Sequence, residues 1–82
     1  MDYELTQHAS DVLGKRQIPV EWLDQVFYRP EWVESDKIDE ELEHRLGSIA
    51  EFEDRVLRVI VNKNAKPPRI ITAYFDRGSR KK

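Results

Sequence analysis

Eighty-two residues make one small domain with a limited core, and the absence of cysteine excludes a disulfide framework, a thiolate metal site and a cysteine nucleophile. The net charge is −2, but residues 1–54 hold five basic and fifteen acidic side chains, and residues 55–82 hold nine and one. No apolar run reaches the ~18 residues of a membrane span, and the start "MDYELTQH" has no secretory-signal pattern, so the expected setting is a bacterial cytoplasm with no membrane contact.

A short strand at Tyr3–Leu5 comes first, then a helix from about Gln7 to Arg16. Thr6 caps that helix by offering its side-chain oxygen to a free backbone N–H. On a 3.6-residue wheel Leu5, Ala9, Val12, Leu13 and Arg16 share one side, with His8 at its edge. Pro19 suits the first position of a second helix, which runs to about Tyr28 and buries Val20, Leu23, Val26 and Phe27. Arg29-Pro30 ends it, because the residue before proline is pushed out of the helical region.

"EWVESDKIDEELEHR" is crowded with acids and holds either a short strand near Trp32–Ser35 or a loop. Three strand-like stretches follow: "HRLGSIAEF", then "RVLRVIV" after the tight link Glu53-Asp54, then "RIITAYF" after the breaker-rich turn "NKNAKPP". Short links favour antiparallel hairpins. Period-two alternation puts Leu57, Val59 and Val61 on one face, and Ile71, Ala73 and Phe75 on the same apolar side. The fold expected is α+β, with two N-terminal helices packed on one face of a three- to four-stranded antiparallel sheet, residues 1–82 forming a single domain with a flexible basic tail at 77–82. The other face carries Arg58, Thr72 and Tyr74, with His44 or Arg45 beside them depending on register.

The pieces "LTQHA…R-Q-I-P", a second helix ending in proline, and "RVLRVIVN…RIITAYF" resemble a short bacterial domain family of unknown function. That family is distantly similar to the RelE/BrnT type of toxin, small ribonucleases of toxin–antitoxin systems. The resemblance runs from Thr6 to about Phe75, carried by the T-x-H-A start, the arginine eight residues after the histidine and the closing I-T-A-Y strand. It implies a RelE-like fold, metal-independent RNA cleavage, RNA or the ribosome as substrate, and a cognate antitoxin as partner. The chain departs from that pattern in being slightly acidic, with eight acids in the block from Glu31 to Glu43 and at Glu51.

Cleaving RNA without a metal or cofactor needs a base, an acid and cations around the phosphoryl oxygens. His8 is the candidate base, beside free N–H groups of a helix start. Arg16, Arg58 and Arg77 are candidate cations, and Tyr74 or His44 the proton donor. The catalytic set is then His8, Arg16, Arg58 and Tyr74, and the nucleic-acid contacts are Arg58, Arg77, Arg80, Lys81 and Lys82. Each has a plainer reading. His8 can be a hydrogen-bonded structural residue, Arg58 a salt-bridged one, His44 the partner of a nearby carboxylate, and Tyr74 a cross-strand packing residue. Trp22 and Trp32 close the ends of the core rather than stack on bases. Two classes of function follow: a toxin-type endoribonuclease, or a non-catalytic protein- or RNA-binding module. What separates them is whether the catalytic set meets in one cleft.

Overall fold

A computed structural model describes residues 2–79 of the chain. Two helices, α1 (Gln7–Lys15) and α2 (Val20–Tyr28), cover one face of a five-stranded sheet. The strands are β1 (Glu4–Leu5), β2 (Trp32–Ser35), β3 (Leu42–Ile49), β4 (Arg55–Asn62) and β5 (Arg69–Phe75), in the spatial order β1-β5-β4-β3-β2.

The ends of α1 follow the chemistry of its flanks. Thr6 Oγ1 accepts the Ala9 N–H at 3.0 Å, which is the expected cap. At the other end Gln17 adopts a left-handed conformation (φ 53°). The Ile18 N–H then reaches the Leu13 carbonyl at 3.0 Å, and Gln17 N–H reaches Gly14 at 3.3 Å. This is a Schellman closure, with the buried pair Leu13 and Ile18 as its apolar clasp. Pro19 caps α2 from outside rather than occupying its first turn, and Val20, expected in the core, is half exposed. The Phe27 carbonyl near the end of α2 accepts from Arg45 Nη1 at 2.9 Å, and the Arg45 guanidinium lies 4.5 Å from the Phe27 ring centre.

The expected three- to four-stranded antiparallel sheet is corrected in two respects. Trp32–Ser35 is a fifth strand, antiparallel to β3, and β1 runs parallel to β5 through the pairs Glu4 with Arg69 and Leu5 with Ile70. A two-residue strand shows no periodicity from which its partner could be read, and a parallel neighbour lies far away in sequence. The face of Ile71 is also corrected. Across from β5, Ile60 pairs with Thr72 and Val61 with Ile70, so Ile71 is the extra residue of a bulge. Ile70 therefore enters the core fully buried while Ile71 is half-buried, and the Ile71 carbonyl accepts from Thr6 Oγ1 at 3.1 Å.

The core lies between helices and sheet: Ala9, Leu13, Leu23, Val26 and Phe27 meet Leu57, Val59, Val61, Ile70 and Ala73. Trp22 closes one end with Phe52 and Phe75. Trp32 does not close the other. Its partner Leu46 lies opposite Arg58, which puts Trp32 on the face without helices, and Tyr3, Phe27 and Tyr28 fill the remaining end. The strand expected to run on to Phe52 stops at Ile49, and a 3-10 turn, Ala50–Phe52, leads into Glu53 and Asp54, both left-handed (φ 58° and 56°). A pair of positive-φ residues matches the twist of the hairpin it closes.

Candidate functional site

The helix-free face is organised by one residue. Arg58 lies in the central strand between Leu57 and Val59, which point to the helices, so alternation sends it the opposite way. It stands across from Leu46 on β3 and Tyr74 on β5, and it is 9% exposed. A guanidinium has five N–H donors and no acceptor, and here all three nitrogens are engaged, by four hydrogen bonds and one further ion-pair contact. Nε donates to Asp76 Oδ2 at 2.8 Å; Nη1 donates to Glu34 Oε1 at 3.0 Å and to His44 Nδ1 at 2.7 Å; Nη2 reaches Ser79 Oγ at 2.9 Å and Asp76 Oδ2 at 2.8 Å.

The register that places His44 across from Ile60 settles which of His44 and Arg45 shares this face: it is His44. Because the guanidinium can only donate, Nδ1 of His44 accepts and Nε2 carries the ring proton. Nε2 then donates to Asp36 Oδ1 at 2.7 Å. Asp36 also builds the turn after β2, its other oxygen accepting the Ile38 and Asp39 N–H groups at 3.2 and 2.9 Å. Trp32 Nε1 donates to Glu34 Oε2 at 3.1 Å, and Ser79 Oγ donates to Asp76 Oδ2 at 3.0 Å.

The ionisations follow from these contacts. The Asp39 N–H, the His44 ring and the Ile38 N–H hold the Asp36 carboxyl down at about 2. Glu34 is lowered by the Trp32 indole and the Arg58 guanidinium. Burial opposes the charge on Asp76, yet the Gly78 N–H, Arg58 and the Ser79 hydroxyl leave it lowered. Burial likewise opposes the charge on Arg58, and Glu34 and Asp76 more than offset that, so its pKa is raised. One guanidinium thus sits among three carboxylates. A cleft of about 340 Å³ opens beside them, lined by Glu34, Asp36, His44, Arg58, Tyr74 and Asp76 among others.

The sequence-expected catalytic set is divided by the sheet. Arg58 and Tyr74 are neighbours on the open face, but His8 and Arg16 belong to α1 and its C-cap on the other side. Both are exposed, neither lines the cleft, and among the described residues neither has a hydrogen bond or ion pair with Arg58 or Tyr74. Arg77 is exposed and borders a second cleft of about 470 Å³ with Glu53, Asp54 and Arg55. Arg80, Lys81 and Lys82 lie outside the described residues. Sequence reasoning missed Glu34, Asp36, Asp76 and Ser79 as members of the site. The signal for Asp36 was the spacing Asp36-x-x-Asp39 at a strand end, a turn pattern that also makes a hairpin of β2 and β3.

These elements define a small α+β domain whose open sheet face is tied by an arginine-centred ion network. The chain belongs to a family described as a domain of unknown function, DUF4258, which it matches over residues 5–75. Comparison with the curated proteins and with the solved structures gives no match. Among the described residues no helix is long and apolar enough to cross a membrane, and no cluster of histidine and acidic side chains could hold a metal ion.

Proposed function

We propose that this chain is a non-catalytic protein-binding module. The observation that carries the reading is the saturation of Arg58. All three of its nitrogens are engaged by protein groups, through four hydrogen bonds and an ion-pair contact to Asp76, and both nitrogens of His44 are engaged by Arg58 and Asp36. A phosphate arriving at this face meets three carboxylates and one cation that is already neutralised, and a neutralised cation is a weak electrostatic anchor for RNA. The acid-rich composition of residues 1–54 adds to that repulsion.

The second reading, a RelE/BrnT-like endoribonuclease held in check by an antitoxin, draws on a different observation: Arg58, His44 and Tyr74 line one cleft. In that case the ion network would have to open and His44, rather than the distant His8, would serve as base. The test is cleavage of a generic RNA, with and without ribosomes, alongside binding of a fluorescent RNA oligonucleotide. The binding-module reading expects no cleavage and no saturable RNA binding at physiological salt. Cleavage by the natural chain that is lost in both Arg58→Lys and His44→Gln would overturn it in favour of the ribonuclease.

A further inference from the structure

The outer strand of the sheet supplies an interaction surface. β2 is last in the order β1-β5-β4-β3-β2, so among the described residues only its inner side is paired. The Asp36 N–H donates inward to the Leu42 carbonyl at 3.3 Å, and antiparallel alternation from there turns Trp32 and Glu34 toward β3. The N–H and C=O groups of Val33 and Ser35 then face outward, a row of donors and acceptors ready for another strand.

The side chains along this edge specify what such a strand would carry. Val33, on the helix side, is 50% exposed, and Ile38 in the adjoining turn is 95% exposed. Glu34 lies on the opposite face, and residues 31–43 hold seven acids against the single base Lys37. Acids on an edge suppress pairing with a second copy of the same edge, because like charges would then stand opposite one another. The same acids attract a strand of opposite charge. An added strand alternates faces just as β2 does, so its residues beside Val33 should be apolar and those beside Glu34 basic.

We propose that β2 is the docking edge for an extended, basic segment of another protein, one that alternates lysine or arginine with apolar residues and joins the sheet as a sixth strand. This rests on the protein-binding reading and gives that reading its surface and its partner's chemistry. Arg58 contributes indirectly: by holding Glu34 it fixes the outer strand to the centre of the sheet.

The test uses a short capped peptide alternating lysine and valine, and a matched peptide alternating glutamate and valine. Amide hydrogen exchange and NMR shifts are followed on the whole chain. The basic peptide should protect the Val33 and Ser35 amides and lose affinity with added salt, while the acidic one should leave both amides unchanged. Ser35→Pro deletes one outward N–H without touching the β2–β3 bonds and should weaken binding at least about tenfold. Val33→Lys opposes the basic peptide by charge and is a second, independent variant should Ser35→Pro fail to fold. Protection elsewhere, none at all, or equal protection by the acidic peptide overturns the edge proposal, while the RNA assays separately decide the binding-module reading. A dimer that protects the same amides without peptide gives the edge to a second copy and overturns the proposal as well.

Discussion

Truncating Arg58 to alanine tests whether the open face is held by charge. The substitution removes four hydrogen bonds and an ion-pair contact at once and strands the acceptors that met them. Arg58 and Asp76 side chains are 11% and 23% exposed, so that pair is largely withdrawn from water. Removing one member of a buried pair costs about 3–5 kcal/mol. The Glu34 carboxylate is 42% exposed, so water takes over much of its role and its share must be discounted. The expected loss is then about 2–4 kcal/mol, which in a domain of this size lowers the melting temperature by roughly 10–25 °C. Urea and thermal unfolding followed by circular dichroism, at low and high salt, would measure it. Most of the loss should persist in high salt, because buried pairs are poorly screened. Arg58→Lys should recover only part of it, since an ammonium cannot serve acceptors spread in a plane. A loss below about 1 kcal/mol for Arg58→Ala would refute the reasoning and reduce the network to a surface ion pair.

Val59→Asp should leave the chain unfolded at room temperature, since Val59 is fully buried and an aspartate there has no partner; a cooperative urea transition in this variant would contradict the assigned core face. Asp36, Glu34 and Asp76 are all lowered, so the unfolded chain takes up protons before the folded one as pH falls. Stability should therefore be full above the ordinary carboxylate range of about 4 and decline toward the value of about 2 held by Asp36. Asp36→Asn should make that acid-side slope, measured by urea titration across pH, shallower. His8→Gln should change stability by no more than about 0.5 kcal/mol, because the His8 side chain is exposed and, among the described residues, makes no hydrogen bond; a larger loss on thermal melting would show a contact that this fold does not provide.

Both helices are legible in the sequence because their signals are local: Thr6 before an amphipathic run, Pro19 at an entry, Arg29-Pro30 at an exit. The central hairpin is legible for the same reason, as β-branched residues alternate on either side of a breaker-rich turn. What escapes is long-range or depends on a single extra residue. The bulge at Ile71 moves Ile70 to the core, and strict alternation cannot foresee it. The candidate site escapes more fully. Glu34 and His44 come from two strands and Asp76 from just beyond the end of a third, and only register brings them to Arg58. The acidic stretch reads as a repulsive block, yet two of its members are the carboxylates that hold the arginine and the imidazole in place.

The parallel pairing of β1 with β5 also governs when this fold can form. Glu4 and Leu5 have their sheet partners at Arg69 and Ile70, and Ala9 and Leu13 of α1 share a core with Ile70 and Ala73. A chain emerging from the ribosome makes β1 and α1 well before β5, the strand that supplies the surface they need. Closing so long a loop before any contact rewards it slows folding relative to a helical bundle of equal length. Until residues 69–75 are available, the apolar side of α1 has no bed and β4 presents an open edge, the condition under which nascent chains associate wrongly. Folding therefore waits for residues 69–75, and a ribosome-stalled fragment ending in the turn before β5 should be protease-sensitive even at α1.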